Sequence, residues 1–220
     1  MMGDGRSRLI VGISGATGAI LGVRLLQVLQ SSEVETHLVL SKWGVRTLAH
    51  ETPYSLEQVQ QMATHHYPPQ DEGAAISSGS FLTRGMVVCP CSVRSVAAIA
   101  NGHGDNLIHR AADVVLKERR KLVLVVREAP LNDVHLENML KLSRMGVVIF
   151  PPVPAFYTHP KTAEDIVDQI VMRVLDQFDI HLPSPNRWDG TMSMTGSPFA
   201  ETMHPRVRKR QTGRRKAAQG

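Results

Sequence analysis

Hydrophobic and polar positions fall in alternating blocks along this 220-residue chain. Short runs rich in Val, Ile and Leu occupy residues 9–14, 35–40, 85–89, 122–126 and 147–149. They are too short for helices and too continuously apolar for strands with one wet face, so each predicts a strand buried on both sides. Between them, apolar residues recur at helical spacing over 19–29, 44–50, 93–100, 111–117, 136–143 and 163–178. The alternation predicts an α/β fold: a three-layer, Rossmann-like (flavodoxin-like) domain with a mostly parallel sheet between helices. Residues 52–83, with clusters of Pro, His and Ser, break the rhythm and read as an excursion or lid. From Pro183 the pattern dissolves, so the domain is expected over 1–188 and a C-terminal arm and basic tail over 189–220.

In such sheets, ligands bind beyond the carboxyl ends of the strands. The first predicted strand ends in a turn carrying Gly15, Ala16, Thr17 and Gly18, which opens the first helix. Helix-start N–H groups lack intrahelical partners and sit at the positive end of the dipole, an arrangement suited to phosphate. The Gly12, Gly15, Gly18 spacing is GxxGxxG rather than GxGxxG, which argues against a standard dinucleotide site. Ser14 and Thr17 add hydroxyl donors. Later strands end in Ser41-Lys42, in the CPCSVRS segment from Cys89 to Ser95, in Arg127-Glu128-Ala129-Pro130, and in the PPVPAFYTHP turn holding Tyr157. Hydroxyls, cations, a carboxylate and a phenol on one edge describe a site for an anionic ligand with an apolar part.

Single motifs leave alternatives open. Ser92 reads as a helix cap, or as a hydroxyl that joins the following N–H groups around a phosphate or flavin edge. Arg110, Asp113 and Lys117 share a helix face, either solvated and ion-paired or presenting two cations to one phosphate. Arg127 is expected on a ligand oxygen and Glu128 in proton exchange. Cys89 and Cys91, one residue apart, could bridge only under strain, which points to a reduced compartment. Neither the cysteines, the histidines nor the acids show metal-ligand spacing, and no metal is expected.

Composition adds limits. No apolar run approaches the ~20 residues of a membrane span and the start lacks a signal-peptide core, so a cytoplasmic protein without membrane contact is expected. Aromatic residues make up 5% of the chain, which argues against stacking-based nucleic-acid binding. Seven cations (Arg206, Arg208, Lys209, Arg210, Arg214, Arg215 and Lys216) lie in the tail; removing them from the net charge of +5 leaves the body at about −2. The tail is either a solvated segment or a polyanion contact.

The combination of GATGA, SKW, CPCS, RAADVVLKERR, REAP, HLENMLKLS and PAFY, spread over residues 8–188, resembles the flavin prenyltransferases, the UbiX and phenylacrylic-acid-decarboxylase-associated flavoproteins. The resemblance implies metal-free transfer of a dimethylallyl group from dimethylallyl phosphate to N5 and C6 of reduced FMN. The product, prenylated FMN, would serve a UbiD-type decarboxylase, and the enzyme would be a homo-oligomer, a dodecamer whose sites draw on neighbouring subunits. By position it assigns Gly15, Ala16, Thr17, Ser41, Ser92, Val93, Arg94, Ser95 and Arg127 to FMN. Tyr157, Arg173, Arg110 and Ser78 fall to the prenyl phosphate, with Lys117 beside it; Glu51, Glu128 and Trp188 surround the reacting prenyl group. Val93-Arg94-Ser95 departs from a smaller Thr-Gly-Thr-like turn, and the basic tail lies outside the pattern. Three alternatives remain. A non-catalytic FMN-binding subunit of a hydroxyarylic acid decarboxylase complex would need only the FMN residues. A phosphopantothenoylcysteine-type decarboxylase would need a PASANT-like segment and an early histidine, both missing here. A polyanion-binding protein would be led by the tail.

Overall fold

The computed structural model describes residues 8–181 together with Arg187 and Gly190. The chain divides into units of residues 1–186 and 187–220, and the fold lies in the first. Trp188 and the basic tail fall outside the described residues.

Six strands form one sheet: β1 (Arg8–Ile13), β2 (Glu35–Leu40), β3 (His65–Tyr67), β4 (Gly85–Cys91), β5 (Lys121–Val126) and β6 (Val148–Ile149). Their order is β3-β2-β1-β4-β5-β6 and every pairing is parallel. Seven helices accompany them: α1 (Ala19–Leu29), α2 (Lys42–Glu51), α3 (Leu56–Gln61), α4 (Val93–Ala100), α5 (Leu107–Lys117), α6 (Asp133–Arg144) and α7 (Ala163–Asp176). Alternate residues of a strand face opposite ways, so one strand feeds two cores. Leu9, Val11 and Ile13 of β1 pack with Leu25 of α1 and Val171 of α7, while Ile10 joins Ile108 of α5 and Val96 of α4 on the other face. A two-pronged ion pair, Arg24 Nε to Asp168 Oδ1 at 2.5 Å and Nη2 to Oδ2 at 3.1 Å, ties α1 to α7.

The three-layer α/β expectation holds, with corrections. Residues 52–83 are not a wholly irregular lid. A capping box between Ser55 and Gln58 starts α3, and His65–Tyr67 adds an edge strand to β2. A three-residue HHY strand has no apolar run to announce it. Thr36 N donates to Thr64 Oγ1 at 3.1 Å and Thr64 N to Thr36 Oγ1 at 2.9 Å, fixing its approach. Helix α5 starts at Leu107 rather than 111, because Asn106 caps it. Strand β4 runs through Cys91 rather than ending at 89, pairing Cys91 with Val126 after a register shift. Helix α6 spans four residues more than the expected 136–143, three of them at its start, where Asn132 opens it with a capping box. Helix α7 ends at Asp176, two residues short of the expected 178.

Candidate functional site

Beyond the carboxyl ends of β1, β2 and β4 lies a cavity of about 390 Å³. Three helix starts build its wall. Ser41 precedes α2 and its hydroxyl accepts from Gly44 N at 2.9 Å; Ser92 precedes α4 and accepts from Ser95 N at 3.2 Å. Asn106 precedes α5, its Oδ1 accepting from Ile108 N and His109 N at 2.9 and 3.2 Å. All three capping residues line the cavity. Each serine satisfies one donor of its helix, leaving the N–H groups of Lys42 and Trp43, and of Val93 and Arg94, with no intrahelical acceptor. Two positive helix ends and the Lys42 side chain on the wall therefore favour a phosphate, and Arg94, whose Nη2 donates to Asp105 Oδ2 at 3.2 Å, adds a second cation at the rim. Helix α5 differs: Leu107 N already donates to Pro69 O at 2.7 Å, so its first turn is satisfied and serves as wall. Gly15 closes the cavity against Trp43. A Cβ at Gly15 would stand 2.3 Å from Trp43 Cβ, so the approach requires glycine. The Trp43 ring, with the Arg46 guanidinium 4.9 Å from its centre, offers an exposed aromatic surface.

The Gly-rich turn does a different job from the one expected of it. Gly18 N and Ala19 N, the donors expected to receive a ligand phosphate, donate to Glu51 Oε2 at 2.8 and 3.0 Å. Burial pulls the Glu51 pKa up, but hydrogen bonds from Thr17, Ala19 and Gly18 outweigh it and hold the carboxyl below its ordinary value. Glu51 thus caps α1 from the end of α2. Ser14 is likewise engaged: its hydroxyl donates to Pro90 O at 3.0 Å and accepts from Ser92 N at 2.8 Å, locking the end of β1 to the turn that carries Ser92.

A polar chain runs along the cavity wall. Asp105 Oδ1 lies 2.9 Å from His109 Nδ1, His109 Nε2 lies 3.2 Å from Ser95 Oγ, and Ser92 Oγ donates to Ser95 Oγ at 3.2 Å. Burial, opposed by the Asp105 carboxylate, lowers the His109 pKa and favours the neutral ring. The network assigns the proton to Nδ1, facing Asp105, and makes Nε2 the acceptor for Ser95. Cys89 and Cys91 are free and buried. Burial pushes the Cys89 thiol up to about 12 and Cys91 further in the same direction, so neither is a ready nucleophile.

Of the expected residues, Gly15, Ser41, Ser92, Arg94 and Ser95 meet at this cavity. Ala16, Thr17 and Val93 lie on the same turns without lining it. The rest of the described ones lie outside it. Arg127 N extends the β5–β4 pairing onto Cys91 O at 3.1 Å, and its side chain and that of Glu128 are exposed. Arg110 pairs with Asp113 and Arg173 with Asp176, each at 3.0 Å. Lys117 pairs with Glu118, and both abut Gly79 in the loop that holds Ser78. Arg120 anchors that loop through the carbonyls of Gly79 and Phe81 at 2.6 and 2.7 Å, so Lys117 and Ser78 share a neighbourhood. Tyr157 is exposed in a 3₁₀ turn, Phe156–Thr158. Lys42, expected at a strand end, also lines the cavity, and Trp43, Pro69, Gln70, Asp105, Asn106 and His109 line it unforeseen. Trp43 directly follows a strand-end Ser-Lys, and Asn106 is a capping residue before an apolar pair, so both carried a usable signal. Pro69 and Gln70 carried none.

Comparison with known proteins agrees with this architecture. The Flavoprotein family model matches residues 3–175. A Bacillus subtilis (strain 168) protein described as a probable UbiX-like flavin prenyltransferase is 58% identical over 194 residues, 88% of this chain and 95% of that protein. The structure of AnUbiX (PadA1) in complex with FMN and dimethylallyl pyrophosphate matches with a TM-score of 0.82 at 50% identity, over 85% of this chain and 100% of that one. A dodecameric FMN-dependent UbiX-like decarboxylase from Escherichia coli O157:H7 also gives 0.82, at 59% identity over 83% of this chain and 100% of that one. With half its length or more matched by both kinds of comparison, the chain belongs to the UbiX-like flavin prenyltransferases of the Flavoprotein family.

Proposed function

We propose that this protein is a flavin prenyltransferase that binds FMN in the capped-helix cavity and joins a dimethylallyl group to it. The carrying observation is the cavity wall itself, two helix starts with unsatisfied N–H groups beside Lys42 and Arg94. Its size falls in the range of small-ligand sites. The FMN phosphate would sit on the first turns of α2 and α4, with Gly15, Ser41, Ser92, Arg94 and Ser95 around it and Trp43 against its apolar part. Bound reduced FMN supplies the nucleophilic N5 and C6. The chain supplies positioning and charge: as the allylic C–O bond breaks, Lys117, Arg110, Arg173 and the Tyr157 hydroxyl stabilise the leaving phosphate. Arg127 would orient the flavin and Ser78 would contact the phosphate; closing the second bond at C6 uses the prenyl double bond, which gains a proton as C6 loses one, and Glu128 or the released phosphate would carry that exchange.

These phosphate-side residues lie outside the cavity of one chain, which supports a site completed by neighbouring subunits. Helix α6 buries only Leu142 and exposes Val134, Leu136 and Leu140, and Phe156 beside Tyr157 is also exposed. Such apolar surface suits self-association, and we propose the dodecamer of the Escherichia coli relative for this chain as well. A UbiD-type decarboxylase is the proposed recipient of the product. Among the described residues no helix is long and apolar enough to cross a membrane.

The test is anaerobic incubation of the purified protein with reduced FMN and dimethylallyl phosphate or diphosphate, followed by mass analysis of the flavin. FMN carrying one prenyl unit, formed equally with EDTA present, is the expected product. Tight FMN binding without product would favour the non-catalytic subunit, and loss of turnover with EDTA, restored by Mg²⁺, would overturn metal-free transfer.

A further inference from the structure

A second group of chemically capable side chains lies at the opposite end of β2 from Ser41. Glu35 and His37 share one face of β2, and His65 of β3 is the register partner of His37. One donor atom from each lies within 4.8 Å of the other two. Glu35 Oε1 is 3.1 Å from His37 Nε2 and 3.2 Å from His65 Nε2. Donors around a tetrahedral Zn²⁺ with bonds of ~2.0–2.1 Å stand about 3.3 Å apart, so these contacts already have the spacing of a coordination sphere.

The surroundings orient the donors as an outer shell would. His37 Nδ1 is 2.9 Å from the Tyr67 hydroxyl, which leaves Nε2 aimed at the carboxylate. Arg8 Nε holds the other carboxylate oxygen, Oε2, at 3.3 Å, leaving Oε1 to the two imidazoles. His37 is buried between the stacked rings of His65 and Tyr67, with Phe81 edge-on. His65 is half exposed on the edge strand, with room to turn its ring onto an ion.

We propose that Glu35, His37 and His65 form a Zn²⁺ site, with water in the fourth position, that pins β3 to β2. Without the ion, each Nε2–H donates to Glu35 Oε1 and the Tyr67 hydroxyl donates to His37 Nδ1. With it, both Nε2 atoms and Oε1 turn to the metal. His37 then carries its proton on Nδ1 and donates to the Tyr67 oxygen, and His65 carries its own on Nδ1 toward solvent. None of the three residues lines the cavity proposed for FMN, so the site stands or falls independently of that reading.

The experiment is calorimetric titration of Zn²⁺ into the metal-free full-length protein, repeated with Co²⁺ as an optical probe. One ion per chain, with micromolar affinity and the intense visible bands of low-coordinate Co²⁺, is expected. His65→Gln, at a half-exposed position that leaves the fold intact, should weaken binding by at least about tenfold, as should Glu35→Gln. His159→Gln, on a distant exposed turn, should not change it. No binding tighter than about 100 μM, or equal binding by wild type and His65→Gln, would overturn the proposal.

Discussion

The two halves of the proposed active site are built on different physical terms. The flavin side is assembled within one chain: strand ends deliver Gly15, Ser41 and Ser92 to one cavity, and helix caps and the Ser14 bridge hold them there. On the phosphate side, Glu128, Arg173 and Tyr157 are exposed, and Arg110 and Arg173 are paired with carboxylates on their own helices. The Arg110–Asp113 pair, exposed on both sides, is worth little to stability, typically below about 1 kcal/mol, so it can be exchanged for a ligand phosphate at small cost. A preformed pocket for the larger ligand and exchangeable charges for the smaller one suit an order in which flavin binds first.

Substitutions should separate the halves. The largest effect is expected at Gly15: Gly15→Val drives a side chain into Trp43 and should weaken FMN binding by at least about tenfold, read by fluorescence titration. Ser14→Ala leaves Pro90 O and Ser92 N without their bridge and should destabilise the fold by about 1–3 kcal/mol in denaturant melts. Tyr157→Phe should leave FMN affinity intact while costing kcat/KM for the prenyl phosphate about 1.5–3 kcal/mol, the value of one hydrogen bond to a charged group. Equal losses of both ligands in Tyr157→Phe would erase the distinction between the halves.

A smaller effect concerns pH. Burial depresses the pKa of His109, and likewise of His37, below the ordinary 6.5. The unfolded chain then binds protons more readily than the folded one, so stability is full above about pH 6.5 and falls as pH drops through the depressed folded values. The melting temperature should decline over that window, and His109→Gln should flatten part of the decline. A pH-independent difference between the two proteins would remove His109 from the titration.

Legibility in the sequence followed the same division. The apolar runs located five of the six strands, and capping residues such as Ser41 and Ser92 marked the cavity because local chemistry decides both. Strand β3 escaped because HHY is held by cross-strand contacts of Thr36, Thr64 and His37, partners about thirty residues away in sequence. The same pairing concealed the Glu35, His37 and His65 cluster, which has no linear spacing to recognise. Glu51 was placed near the site by resemblance, but its hydrogen bonds to Gly18 and Ala19 close the very donors that the Gly-rich turn advertises for phosphate. A helix start is legible from sequence; whether a distant carboxylate already occupies it is not.

The central claim is that the starts of α2 and α4 hold the phosphate of FMN. Titrating the apo-protein with FMN and with riboflavin, which lacks only that phosphate, tests it most directly. FMN should bind at least about a hundredfold more tightly, and Ser92→Ala should narrow that ratio by disturbing the first turn of α4. Equal affinity for the two flavins, or a ratio unmoved in Ser92→Ala, would contradict the account.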